Sequence, residues 1–306
     1  MQRLAPPIAL AILAGLLVLL AGCGQGEPAA SGAAGRLQVV AAENFWGSIA
    51  AQLGGARAQV KSIIVNPGTD PHSYEPTAQD ARTMAQAQLA IVNGVGYDEW
   101  ASKLLAASPA GARTVLNVGD LLGLRQGDNP HRWYFPANVL AVANRIVADY
   151  DRLDPAGAAY FARRKQSFET QGLARYDELR RTIRARYAGT PVGYSESIFQ
   201  GLGEDLGLRL LTPYSFAKAI AEGTEVSAQD KRTVDSQAED HRIAVWVFNS
   251  QNVTPDVQRV NELARAARIP IATVTETLSP ASDSFEQWQA AELEGLARAL
   301  RVATGK

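Results

Sequence analysis

Cysteine is all but missing from this 306-residue chain, which holds one, Cys23, and so cannot close an internal disulfide. Histidine is nearly as scarce, with three copies. Neither sign of charge is in excess, 30 Lys and Arg standing against 31 Asp and Glu. That balance leaves no footprint for nucleic acid or for an acidic membrane surface as partner. Long apolar runs are missing too: past residue 20 none is long enough to cross a bilayer.

What is present begins with an export pattern. Arg3 precedes Ala9–Leu20, an apolar stretch of signal-peptide length and too short to span. Small residues Ala21 and Gly22 then stand directly before Cys23, which resembles a bacterial lipobox. The resemblance implies cleavage after residue 22 and lipid on Cys23, where a free exported thiol would otherwise be a reactive liability. Residues 1–22 read as a signal peptide and 23–35, rich in Gly, Ala and Ser, as a flexible lipid-anchored tether. Removing 1–22 removes Arg3 and no acid, leaving 29 basic against 31 acidic residues. The expected location is the cell membrane, lipid-anchored on its extracytoplasmic side.

From Arg36 short apolar runs alternate with helical stretches. LQVVAA (37–42), KSIIV (61–65), QLAIVNG (88–94) and RTVLNVG (113–119) are strand candidates. Thr77-Ala78-Gln79-Asp80 resembles a capping box that starts a helix. From 137 to 187 apolar residues recur every three and four, among them Val139, Val142, Ile146, Tyr150, Phe161, Tyr176 and Ile183, broken at Asp154-Pro155. TPVGYS (190–195), LRLLTP (208–213), VWVFNS (245–250) and IPIATVT (269–275) restore the alternation. The expected fold is α/β: two lobes with parallel sheets, 36–136 and 189–306, joined by a long connecting helix over 137–188. Such lobes present ligands at the carboxyl ends of their strands, and the cleft between them is the expected site.

Two of the three histidines lie in matching proline-bounded loops, GTDPHSYEP (68–76) and NPHRWYFP (129–136). Pro71 and Pro130 restrain the loops around His72 and His131, which suits a metal ligand better than a mobile surface residue. Either histidine alone would more simply be a solvated loop residue. Glu196 and Glu276 each follow a buried-strand candidate of the second lobe and need a partner there. The plainer alternatives are a helix-start acid for Glu196 and a rim carboxylate for Glu276.

Together these elements resemble the metal-binding receptors of ABC-type zinc and manganese uptake systems, solute-binding proteins that are often lipoproteins. Asp70-Pro71-His72-Ser73-Tyr74-Glu75-Pro76 carries the resemblance most specifically. Asn129 stands where Asp is usual, and Glu276 where Asp is most frequent. The resemblance implies His72, His131, Glu196 and Glu276 as ligands of one divalent transition metal ion at the lobe interface. It also implies a cognate permease with its cytoplasmic ATPase as partners of a monomeric receptor, and no turnover.

If both carboxylates bind through two oxygens the site approaches six donors, a set that suits Mn2+. Zn2+ binds the same ligands more tightly in the usual affinity order. Trp133 and Tyr134 are expected to wall the pocket, and Glu43-Asn44 at the end of the first strand to hydrogen-bond a ligand imidazole. Glu222 reads as a helix-flanking acid or a spare ligand, and His241 as a surface residue. Asn93-Gly94-Val95-Gly96 reads as a turn, too weak for a phosphate loop. Two other readings stay open: a metal-dependent hydrolase with an open coordination position, and a surface adhesion protein whose metal is structural or absent.

Overall fold

The computed structural model describes residues 35–306; the signal segment, most of the tether and Cys23 lie outside them. Among the described residues no helix is long and apolar enough to cross a membrane. Arg36–Lys306 form one compact unit.

The first lobe runs β1 (Leu37–Glu43), α1 (Asn44–Gly54), β2 (Ala58–Ile64), α2 (Ala78–Ala85), β3 (Leu89–Val92), α3 (Glu99–Ala107), β4 (Thr114–Asn117) and α4 (Val118–Leu121). All pairings are parallel, in the order β2-β1-β3-β4. β3 is buried at every residue and β1 at all but one, as strands covered on both faces must be. α2 starts with the capping box expected from its sequence: Thr77 Oγ1 accepts from Asp80 N, and Asp80 Oδ2 accepts from Thr77 N.

The expected connecting helix is a helical run with two irregularities. α5 (Pro136–Leu153) ends at Asp154-Pro155, where proline cannot continue the backbone ladder. α6 (Ala158–Ser167) passes through a π turn at Phe168–Gly172 and leads to α7 (Ala174–Tyr187).

The second lobe repeats the plan: β5 (Pro191–Tyr194), α8 (Gln200–Asp205), β6 (Arg209–Leu210), α9 (Tyr214–Ala221), α10 (Ala228–Glu239), β7 (Val245–Asn249), α11 (Pro255–Ala266), β8 (Ile271–Val274) and α12 (Phe285–Thr304). Its parallel order, β6-β5-β7-β8, matches that of the first sheet. LRLLTP keeps only two residues in β6, an edge strand.

In both sheets the strand order reverses direction beside the first strand of the lobe. That is where an open α/β sheet forms its crevice. β1 ends there in Glu43, β5 leads there into Glu196, and β7 ends beside it in Asn249. One hydrophobic cluster runs through both lobes, joining Phe45 and Trp133 to Tyr194 and Val247. Gly201 of α8 lies under the Phe135 ring, where an added Cβ would stand 2.5 Å from two ring carbons. Gly201→Ala is therefore expected to destabilise the chain by about 1–3 kcal/mol, because the overpacked ring has to shift against the other lobe. The midpoint of chemical denaturation checks it.

Candidate metal centre

Each histidine loop is held by the same local device. Asp70 Oδ1 accepts from His72 N (2.9 Å) and Asp70 Oδ2 from Ser73 Oγ (2.8 Å). Asn129 Oδ1 accepts from His131 N (3.0 Å). In both cases the short polar residue before proline closes a turn onto the histidine two positions later. Tyr74 donates to Asp80 Oδ2 (2.9 Å), so the first loop is tied to the cap of α2.

Asn129, where aspartate is usual in the resembling receptors, does something a carboxylate could not. Its Nδ2 donates across the cleft to Ser197 O (2.7 Å) and Gln200 Oε1 (3.2 Å). Its Oδ1 also faces His131 Nδ1 at 2.8 Å. Because Oδ1 can only accept, the imidazole carries its hydrogen on Nδ1 and turns a bare Nε2 lone pair into the cleft.

That Nε2 is buried without a hydrogen-bond partner, and so is Glu196 Oε1. Nε2 stands 3.8 Å from Glu196 Oε1 and 3.6 Å from Glu276 Oε2. One ligand atom each from His131, Glu196 and Glu276 lie within 4.8 Å of one another. The three residues are 0%, 1% and 5% exposed. Among the described residues no lysine or arginine pairs with either carboxylate. Two desolvated anions without a cation are costly to hold. A divalent ion would supply the missing charge, and bonds of about 2.0–2.2 Å need donors about 3.3–3.6 Å apart, close to these spacings.

His72 occupies the mouth. The residue is exposed on its loop, while its ring turns inward, 4.6 Å from Tyr97 and 6.4 Å from His131 between centroids. It therefore stands outside the three-residue cluster. It borders a cavity of about 360 Å³ whose other walls include Glu276 and Glu222.

Protonation follows the burial. Desolvation drives the His131 pKa down to about 4, so the ring is neutral at physiological pH. Desolvation also lowers that of His72, with the Glu276 carboxylate pulling the other way. Burial raises both Glu196 and Glu276; for Glu196 the neighbouring Glu276 charge adds to the rise, while His72 opposes it for Glu276.

Other expectations are redistributed. The Trp133 ring lies 5.3 Å from that of His131 and is stacked at 3.8 Å on Phe45. Asn44 does not bond an imidazole: its Oδ1 accepts from Leu278 N (3.2 Å), two residues past Glu276, and so braces that loop instead. His241 lies on an exposed turn with positive φ.

Three contributors were not singled out in the sequence. Tyr97 donates from the first lobe to Glu276 Oε2 (2.9 Å). It is delivered by Gly94, Val95 and Gly96, all left-handed, a strained conformation for valine. The Asp98 carboxylate holds the turn by accepting from Asn93 N and Gly94 N, both 2.7 Å. The glycine pair was the available signal. Gln251 Oε1 accepts from Glu276 N (2.6 Å) and Thr277 N (3.1 Å). Asn249 donates to both carboxylates; a polar residue ending an otherwise apolar strand was its signal.

Two parallel-sheet lobes, with a buried imidazole and two carboxylates gathered where they meet, define the chain as a two-lobed metal-binding protein. It belongs to the family described as the periplasmic component A of zinc-uptake complexes, whose model matches residues 39–299. The manganese-binding lipoprotein MntA of Halalkalibacterium halodurans is 27% identical over 245 residues, 78% of this chain and 79% of that protein. The iron-binding protein YfeA of Yersinia pestis is 24% identical over 262 residues, 81% of this chain and 72% of that protein. In fold, the chain is similar to the Mn-bound periplasmic metal binding protein from Candidatus Liberibacter asiaticus, with a TM-score of 0.72 at 20% identity, covering 87% of this chain and all of that one.

Proposed function

We propose that the protein is the extracytoplasmic receptor of an ABC uptake system, capturing one Mn2+ or Zn2+ ion and passing it to a cognate permease driven by a cytoplasmic ATPase. His131, Glu196 and Glu276 bind the ion from the cleft floor and His72 closes over it from the mouth. The chain acts as a monomer held to the membrane by lipid on Cys23, with 36–136 and 189–306 as the lobes and 137–188 as their connection. It turns over no substrate.

The observation that carries this reading is the convergence of Nε2 of His131 and one oxygen of each glutamate in a buried pocket without a cation. Family membership supports the transport role, since its members serve metal uptake. Equilibrium dialysis of the purified chain in chelator-buffered zinc and manganese tests it, with about one ion per chain expected. A stoichiometry well below one would defeat it. His72→Ala is expected to weaken binding by about 10–100-fold and leave the stoichiometry intact, because three donors remain. Removing even an outer partner of a metal ligand costs about 10–100-fold, which sets the least loss expected for this ligand.

A further inference from the structure

We propose that Asn249 is the selectivity-determining residue of the site: it holds each carboxylate with a single oxygen forward, so that the pocket favours Zn2+ over Mn2+. This rests on the metal-capture reading above and adds a named residue and a direction of preference to it.

The sheet order makes Asn249 central. β7 lies between β5, which leads into Glu196, and β8, which leads into Glu276, and Asn249 pairs in register with Val274 at the end of β8. The residue is fully buried. Its backbone N donates to Ser195 Oγ (3.0 Å), and its Oδ1 accepts from Gln251 N (2.9 Å). With Oδ1 committed, Nδ2 must face the acids. An amide NH2 has two hydrogens, and each goes to a different carboxylate: Glu196 Oε2 at 2.9 Å and Glu276 Oε1 at 2.8 Å. Asn252 adds a second, longer donor to Glu196 Oε2 at 3.3 Å.

The oxygens that Asn249 leaves are those that face His131 Nε2, Glu196 Oε1 at 3.8 Å and Glu276 Oε2 at 3.6 Å, the latter also accepting from Tyr97 OH (2.9 Å) through one of its two lone pairs. Glu196 Oε1 has no partner at all. Binding through both oxygens needs both at nearly equal distance from the ion. Turning either carboxylate into that pose breaks a charge-assisted hydrogen bond and strands a buried N–H. With one oxygen from each glutamate and one nitrogen from each histidine, the pocket offers four donors. Four N/O donors satisfy Zn2+ in its usual tetrahedral shell. Mn2+ prefers a larger, oxygen-rich shell. The six-donor arrangement that the residue types permit is thus disfavoured by a neighbour that binds no metal itself.

The test compares the purified full chain with Asn249→Ala and with Asn249→Leu, which keeps the side-chain volume should the alanine variant fold poorly. Two quantities are read: the Zn2+/Mn2+ affinity ratio in chelator-buffered competition, and the zinc coordination number from X-ray absorption. The wild type is expected to hold four-coordinate zinc. In the variants the affinity ratio should fall at least about tenfold and the coordination number should rise, a change that a merely structural role would not produce. A ratio unchanged in a folded variant overturns the role of Asn249, as does six-coordinate zinc in the wild type, while metal capture itself stands. A wild-type chain that binds neither ion takes down both readings.

Discussion

Glu196→Gln is expected to weaken metal binding by at least about 100-fold and, at the same time, to raise the unfolding midpoint of the metal-free protein. Outer partners of metal ligands typically cost 10–100-fold when removed, so a carboxylate that touches the ion should lie at or above the upper end. The substitution removes an anionic donor whose Oε1 faces His131 Nε2 at 3.8 Å. It leaves the shape of the pocket nearly unchanged, so a lost site cannot be confused with a lost fold. The rise in stability comes from the other side of the same arrangement. Glu196 and Glu276 are both buried, and one asparagine amide is shared between them. A neutral amide cannot ionise, so it avoids the desolvation and repulsion that the pair meets as its last proton leaves. Titration calorimetry and thermal unfolding without metal read the two effects. Affinity within about threefold of wild type would remove Glu196 from the ligand set.

Ion binding is expected to release about one proton near neutral pH, and affinity should climb by up to about tenfold per pH unit until the carboxylates are ionised. Burial raises the pKa of both Glu196 and Glu276, with the neighbouring Glu276 charge adding to the rise of Glu196. The pair therefore retains a proton in a range where ordinary glutamates have lost theirs. His131 is not the source, because its pKa is pushed down to about 4 and the ring is already neutral.

The same shifts set the stability of the metal-free protein. The folded carboxyl pair binds protons more tightly than the unfolded chain does. Its contribution is complete below the ordinary glutamate pKa and declines as pH rises above it. For His131 the folded pKa is the lower one. Its contribution is present above the ordinary histidine value and is lost as pH falls toward about 4. Calorimetry in buffers of different ionisation enthalpy measures the released proton directly. A binding heat that does not depend on the buffer would contradict the proton count.

Most of the architecture was legible because it follows local rules. The strand candidates fall on β1 to β8 because a parallel sheet covered on both faces demands short, continuous apolar runs. LRLLTP is a partial exception: apolar enough for a strand, it pairs over only two residues at the sheet edge. The Thr77–Asp80 box and the Pro136 start of α5 are equally local. At the site the histidine loops were legible for the same reason. Asp70 holds His72 and Asn129 holds His131 across two residues, a span that the sequence displays.

What lies across the cleft was not. Tyr97 reaches Glu276 over a separation of 179 residues. Asn129 bonds Ser197 O across 68, and this is the use of the amide that distinguishes it from aspartate. Residue types alone allowed two oxygens from each glutamate. Which oxygen of each glutamate is engaged elsewhere is set by Asn249, held between them by the order of the second sheet.

By itself, then, the sequence determined the two-lobed α/β plan and the family resemblance, and it singled out the four residues proposed as ligands, because short-range turn, strand and capping chemistry repeats wherever those residue patterns occur. Tertiary structure alone decided how those residues are turned: His131 with a bare Nε2 toward the glutamates, each glutamate with one oxygen on Asn249 and the other facing that nitrogen, and His72 at the mouth. The reason is that a buried polar side chain takes whichever donor or acceptor packing brings within about 3 Å, and in this site that partner repeatedly comes from another strand or from the other lobe.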